Sequence, residues 1–346
     1  MPLKLLKNLT EACGVSGNED EVRNLLHDAI APYVDEIQVD PMGNLIAVKK
    51  GKEGYPRILL AAHMDEVGFM VKSIDDNGFV KFVPIGGIDE RILISKVVQI
   101  GKNKVPGVIG AKAIHLQEPD ERKKTLKPNQ LYIDIGAKSK EEGEKLVKRG
   151  DYISFSSEYI EYGDQLVKAK ALDDRVGCAI LAEILKGHYA STIIAAFTVQ
   201  EEIGLRGAGV AAYRTDPDIA IVIEGTTCYD VADIKEPDYI TQLGHGPALS
   251  ILDAASYSDK HIRNRLSRIA EKNNIKFQFK QGTAGGNDAG RIHLTKSGIP
   301  TATVSVPCRY IHSPVSVMHK QDFQNCIRWI ELFLESIQKE EWIYES

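Results

Sequence analysis

The sequence predicts an α/β protein, a mixed and mostly parallel sheet with helices on both faces, interrupted by a small β-rich insertion. Three observations predict it. Apolar runs at 58–62, 192–199, 219–223 and 301–306 alternate with helical patterns, the rhythm of buried parallel strands. Between 67 and 165 that rhythm gives way to short alternating strands and turn residues. Acidic residues and histidines stand just after the apolar runs, at the carboxyl edge where open α/β sheets build their sites.

Taken in chain order, Ser16 and Glu19 form an S-x-x-E pattern before Val22, Leu25, Leu26, Ala29 and Ile30, which reads as a capping box opening an amphipathic helix. Residues 39–50 read as a strand pair turning at Met42-Gly43-Asn44, and 58–62 as a buried strand with His63 after it. The segments 69–74 and 79–83 alternate around Asp76-Asn77-Gly78, a strong hairpin signal. Short strands follow at 97–100, 105–109, 131–135 and 152–155, with one helical stretch at 139–148. From Asp173 the α/β pattern resumes. Residues 174–185 form a helix with a long apolar face, and 323–337 close the chain as an amphipathic helix. The expected organisation is a discontinuous catalytic domain, 1–66 and 166–346, around an inserted domain, 67–165.

Composition narrows the function classes. With 43% hydrophobic and 26% charged residues in 346, the chain carries enough apolar material for a sizeable core. The net charge of -5 comes from well-mixed residues, which argues against nucleic acid or an anionic membrane as partner. No run approaches ~18 apolar residues, so no transmembrane helix is expected. The five cysteines are widely spaced without a CxxC, which fits a reducing, cytoplasmic setting better than a disulfide framework.

The residues that carry chemistry are His63 and Asp65 in AAHMDEVG, Asp173 in ALDDRVGC, Glu201 and Glu202 in VQEEIGLRG, Glu224 in VIEGTT and His312 in YIHSP. Singly, each reads as a surface turn or a helix cap. Together they repeat one pattern, a polar ligand type after a buried strand. Carboxylate and imidazole suit a borderline divalent metal, and their number suits two ions, which sit ~3.5–4 Å apart in co-catalytic sites. Asp173 is the natural bridge, a short carboxylate at a helix start. His63 and His312 are terminal imidazoles, one per ion, and Glu202 and Glu224 terminal carboxylates. Glu201 then remains as general base, and Asp65 stands where it can hold the His63 ring. Zn, Co or Mn all suit such ligands.

The motifs HMDEVG, ALDDRVGC, VQEEIGLRGA, EGTT, GGNDAGRIH and CRYIHSP resemble the tetrahedral aminopeptidases, within the clan of co-catalytic zinc exopeptidases, over almost the whole chain. EGTT, QGTAGGNDAGRIH and CRYIHSP resemble the glutamyl aminopeptidase branch in particular, although many relatives carry Asp where this chain has Glu224. The resemblance implies an inserted PDZ-like dimerisation domain and dimers assembling into a tetrahedral dodecamer. It pairs His63 with Glu224 on one metal and Glu202 with His312 on the other. It also implies a cis peptide between Asp173 and Asp174. The expected activity is removal of N-terminal residues, acidic ones preferred, from peptides. An acidic first residue needs a cation, and Arg291, Arg309 and Arg206 lie in or beside the motifs. The alternatives are a broad, neutral or basic aminopeptidase or deacylase on the same centre, a glycoside hydrolase, and a dead peptidase scaffold. The glycosidase needs two metal-free carboxylates flanking a sugar bond. The scaffold would be expected to lack a ligand or Glu201, and all are present.

Overall fold

The computed structural model describes residues 2–337. Two helices open the chain, α1 (Pro2–Glu11) and α2 (Asp20–Ile30), followed by β1 (Glu36–Val39), β2 (Leu45–Lys49) and β3 (Arg57–His63). Next come β4 (Gly68–Ile74), β5 (Val80–Ile85), β6 (Val97–Ile100), β7 (Val105–Gly110), β8 (Tyr132–Asp134), helix α3 (Lys140–Leu146) and β9 (Tyr152–Phe155). The chain then returns through β10 (Ile160–Tyr162), β11 (Leu166–Ala169), α4 (Leu172–Ile184), β12 (Thr192–Thr198), α5 (Arg206–Thr215) and β13 (Ile219–Thr227). It closes with β14 (Ala248–Leu249), α6 (Lys260–Lys272), β15 (Gln278–Phe279), α7 (Ala289–Ile292), β16 (Thr301–Arg309), β17 (Ser316–His319) and α8 (Lys320–Ser336). Among the described residues, no helix is long and apolar enough to cross a membrane.

The large sheet is mixed and runs β1-β2-β12-β3-β13-β16-β17-β11-β10, with β14 beside β16 and β15 beside β14. Its centre, β12-β3-β13-β16, is parallel, and its flanks are antiparallel. The central strands are apolar on both faces because both are covered. In β3, Ile58, Leu60 and Ala62 point to a core shared with α1, α2, α4, α6 and α8. Leu59 and Ala61 point to the other core, shared with α5 and α7. In β12 and β13 the same alternation sends Ile193, Phe197, Ile219 and Ile221 one way and Ala196, Ala220 and Val222 the other.

Strands β4 to β9 close into a separate barrel, β4-β5-β8-β7-β6-β9, with its own core. Phe69 anchors that core, its ring centroid 5.0 Å from Phe82 and 5.2 Å from Phe155, both edge-to-face. The Asp75 carboxylate accepts from the backbone N–H of Asn77 and Phe79, and Gly78 takes φ +89°, which makes the tight turn of the predicted hairpin.

Some details differ from the sequence reading. Ser16 and Glu19 do not form a capping box: α2 begins at Asp20, and both side chains are used elsewhere. Strands β13 and β16 run past the apolar stretches to Thr227 and Arg309, because they pair with each other from Ala220 against Thr301 to Thr227 against Cys308, and β17 continues the pairing at Arg309. Glu224 therefore lies within a strand rather than beyond it. Helices α1, α5 and α6 and the flanking strands β17, β11 and β10 are additions to the predicted elements.

A buried ion cluster ties the barrel to the sheet. Lys170 Nζ lies 2.6 Å from Glu66 Oε1 and donates to the Ala12 carbonyl, while Arg175 Nη2 lies 3.3 Å from the same carboxylate. Ser154 of β9 and the Gly14 N–H also donate to Glu66. The chain thus leaves for the barrel beside Glu66, and Ser154 of β9, the last barrel strand, bonds to the same carboxylate just before the chain returns to the sheet. Removing one partner of such a cluster leaves buried charge uncompensated, so Glu66→Ala should cost about 3–5 kcal/mol in urea unfolding. A loss below about 1 kcal/mol, the scale of an exposed pair, would contradict this role.

Candidate active site and metal centre

The site forms where the central strands end. His63 is the last residue of β3, Glu201 and Glu202 follow β12, Glu224 lies in β13, His312 follows β16, and Asp173 precedes the regular part of α4. The delivering segments bend sharply: Ala171, Gln200 and His312 have φ of +50°, +57° and +55°. The Asp173–Asp174 peptide is cis.

Asp173 lies between two histidine–glutamate pairs. His63 Nε2 is 3.3 Å from Asp173 Oδ1 and 3.6 Å from Glu224 Oε2. On the other side, His312 Nε2 is 3.5 Å from Asp173 Oδ2 and 3.2 Å from Glu202 Oε2. The His63 side chain is 1% exposed and that of His312 39%, so one half is deep and the other opens outward. Asp174, next in sequence, is spent on structure: its carboxylate accepts from the N–H groups of His63 and Gly177.

Asp65 holds the opposite edge of this group. It is fully buried, and its oxygens accept from Glu201 N at 3.0 Å, Glu202 N at 3.1 Å and Ser16 Oγ at 2.6 Å. His63 Nδ1 faces the Asp65 carbonyl at 3.1 Å. That contact favours the proton on Nδ1 and leaves the Nε2 lone pair toward Asp173 and Glu224.

Without a cation the charges are poorly balanced. Burial pushes Glu201 and Glu224 well above the usual carboxylate range, and lifts Glu202 to about 8. Burial opposes the charged form of His312, but the Asp173 hydrogen bond and the Glu202 charge prevail and raise it to about 9. Asp173 moves the other way: burial would raise it, and the two imidazoles hold it low. Glu224 Oε1 is buried with no hydrogen-bond partner among the described residues. His63 stands close enough to Asp173 and Glu202, and to Asp174 and Glu224, for either group to hold a metal ion. With His312 facing Asp173 and Glu202, the donor set of imidazole and carboxylate fits divalent metal.

A cavity of about 650 Å³ opens onto the group, lined by His63, Asp173, Glu201, Glu224 and His312. Asp89 and Arg91 reach it from the barrel side, and Lys280 from beside β15. Arg309 does not line it: Nε and Nη2 fork onto Asp230 at 2.8 and 2.7 Å. Arg291 on α7 and Arg206 on α5 are exposed and also lie outside the lining. His115 sits in an exposed turn of the barrel, Ile114–Leu116. Lys280, Ser16, Glu19 and Asp288 were not read as site residues. Asp288 was visible only as part of GGNDAG; it is fully buried, bonded to Thr198, and pushed up to about 6 by burial.

Residues 43–329 match the family described as M42 glutamyl aminopeptidase. The chain belongs to that family. It is a metalloaminopeptidase. It is 42% identical to a candidate aminopeptidase of Acetivibrio thermocellus, over 96% of this chain and 97% of that protein. It is 32% identical to the lysyl aminopeptidase of Pyrococcus furiosus, over 97% of each chain. Identity to the glutamyl aminopeptidase of Lactococcus lactis is 31%, over 97% of this chain and 96% of that one. Among solved structures, an aminopeptidase of the archaeon Desulfurococcus kamchatkensis superposes with TM-score 0.94 at 36% identity, covering 99% and 96% of the two chains. The TET1 peptidase of Pyrococcus horikoshii, which assembles into a tetrahedron or a large octahedral shell, superposes at 0.86 with 34% identity, covering 97% and 100%.

Metal binding to the folded form alone stabilises it, by about 2.7 kcal/mol at a hundredfold excess over Kd. Zn or Co should therefore raise the unfolding temperature of chelator-treated protein. Asp173→Asn should abolish most of that shift, whereas an undiminished shift would remove Asp173 from the centre.

Proposed function

We propose that this M42 enzyme is a dinuclear aminopeptidase that removes N-terminal residues from peptides and prefers Glu and Asp. The observation that carries the two-ion reading is Asp173, with one carboxylate oxygen toward each histidine–glutamate pair. His63 and Glu224 would hold one divalent ion, Glu202 and His312 the other, with Asp173 between them. When bound, the ions supply Lewis acidity and make water acidic enough to be deprotonated near neutral pH.

The remaining work falls to the chain. Glu201 lines the cavity beside His63, Asp173 and Glu224, and its backbone N–H is fixed by Asp65. Its burial and the nearby charges of Asp288, Glu202 and Asp173 strengthen its hold on a proton, against the pull of His63. It takes the proton from the attacking water and returns it to the leaving amine. Asp65 keeps the His63 ring and the Glu201–Glu202 backbone in register.

Lys280 supports the acidic preference. It is half-buried on the cavity wall, and among the described residues its Nζ has no hydrogen-bond or ion-pair partner. Arg91 is committed to Asp89, and Arg309 to Asp230. The relatives include both a lysyl and a glutamyl enzyme, so the cavity's own charge is the better guide. A preference for basic residues would rest on Asp89, which Arg91 neutralises. A glycosidase reading lacks its free carboxylates, since Asp173, Glu202 and Glu224 each face an imidazole.

The same reading makes the protein a homo-oligomer, with dimerisation through the inserted barrel and a tetrahedral dodecamer as the assembly. The TET relatives support it, as do Ile114 and Leu116, large apolar side chains exposed on the barrel.

Chelator-sensitive release from Glu- and Asp-p-nitroanilide, above that from Leu and Lys substrates, is the expected result. Release from Lys or Leu substrates instead would overturn the specificity. Glu201→Gln should retain metal and lose about 10²–10⁴-fold in kcat. Lys280→Met should lower the Glu-to-Leu ratio of kcat/KM by about 10- to 100-fold, the worth of one charged hydrogen bond. An unchanged ratio would exclude Lys280.

A further inference from the structure

Strand β12 ends at Thr198, and the base follows three residues later. The four backbone N–H groups that lead to and include the catalytic pair lie beyond the strand's ladder. Each is accepted by a side-chain oxygen. Val199 N donates to Asn44 Oδ1 at 3.0 Å, and Gln200 N to Glu19 Oε1 at 3.2 Å. Glu201 N and Glu202 N donate to the two oxygens of Asp65. The carbonyls are held as well: Glu201 O accepts from Gly204 and Leu205, Gln200 O from Arg206, and Val199 O from Gly207. This turn is therefore clamped from both sides, around a Gln200 in the left-handed region.

The three clamping side chains come from separate parts of the chain and are buried, at 0% exposure for Asn44 and Asp65 and 4% for Glu19. Asn44 is braced by Asp40, which accepts its N–H and its amide. Glu19 is braced by its own loop: the same oxygen accepts Gly17 N at 2.7 Å. Gly17 in turn has φ +88° and lies against the Tyr152 hydroxyl of the barrel, where a Cβ would come within 2.9 Å. A buried carboxylate whose Oε1 accepts two backbone N–H groups, one of them next to the base, has a purpose beyond helix capping. α2 takes no side-chain cap from it.

We infer that Glu19 is a positioning residue for catalysis: through the Gln200 N–H it fixes the turn that aims Glu201 into the cavity. This rests on the assignment of Glu201 as base. Glu19 touches neither the histidine–glutamate pairs nor the cavity lining. Its loss should therefore lower turnover while leaving substrate and metal binding in place. A side-chain oxygen at the same reach should restore it, charged or not.

The test compares Glu19→Ala, Glu19→Asp and Glu19→Gln with Glu201→Gln, in the intact protein at saturating Zn or Co on the preferred p-nitroanilide. Metal content and unfolding temperature are measured alongside. Glu19→Ala and Glu19→Asp should lower kcat about 10- to 100-fold with KM and metal content held, and Glu19→Gln should return kcat to within about threefold of wild type. If Glu19→Ala is not recovered folded, Glu19→Asp decides, since it keeps the charge and shortens the reach. Wild-type kcat in Glu19→Asp, equal damage from Asp and Gln, or metal loss in step with kcat would overturn the inference. An inactive Glu201→Gln beside a wild-type Glu19→Asp would overturn the role of Glu19 alone. An active Glu201→Gln would overturn the base assignment and this inference with it.

Discussion

Like charges crowded in a dry place set the terms for this molecule. Asp173, Glu202 and Glu224 converge on His63 and His312, with Glu201, Asp65 and Asp288 close behind. Taking one carboxylate out of water is costly, and several together are worse. The structure meets this in two ways. Asp65 is saturated with donors, from Ser16, Glu201, Glu202 and His63. The cluster at Asp173 is not: carboxylates shifted upward, imidazoles shifted upward and an orphaned oxygen on Glu224 all call for cations.

The backbone makes this concentration of charge stable. Central strands buried on both faces supply a rigid floor, and most of the residues proposed as ligands stand in or just after those strands. Metal ligands gain from such placement, because their geometry tolerates little error. The barrel can be inserted without loosening the floor because Glu66, where the chain leaves for it, is fastened to Lys170 and Arg175 and to Ser154 of the last barrel strand. Glu66 follows Asp65 in sequence and Lys170 lies three residues before Asp173, so the same tie lies directly behind the site.

What the sequence revealed follows the range of the interactions involved. Apolar runs ending in His or Glu, and the Asp-Asn-Gly turn, are local signals, and they led to the central strands, the hairpin and the four residues gathered about Asp173: His63, Glu202, Glu224 and His312. Strand extension was not local: β13 continues through Glu224 to Thr227 and β16 past Val306 to Arg309, because each completes the other's hydrogen bonds. Ser16 and Glu19 imitate a capping box, yet their partners are Asp65 and Gln200, the latter far along the chain. Arg309 looked available until Asp230, 79 residues earlier, claimed it. Lys280 carries no motif at all; what distinguishes it is a wall position and the absence of a partner among the described residues, which only the fold reveals. The α6 pattern, Ile262, Leu266 and Ile269, has helical spacing and is legible in the sequence.

The central claim is a pair of ions with Asp173 between them. Anomalous diffraction at the metal edge, from crystals of the protein loaded with Zn or Co, tests it directly. Two peaks ~3.5–4 Å apart are predicted, one beside His63 and Glu224, the other beside Glu202 and His312. A single peak under saturating metal, or a pair that does not flank Asp173, would contradict it.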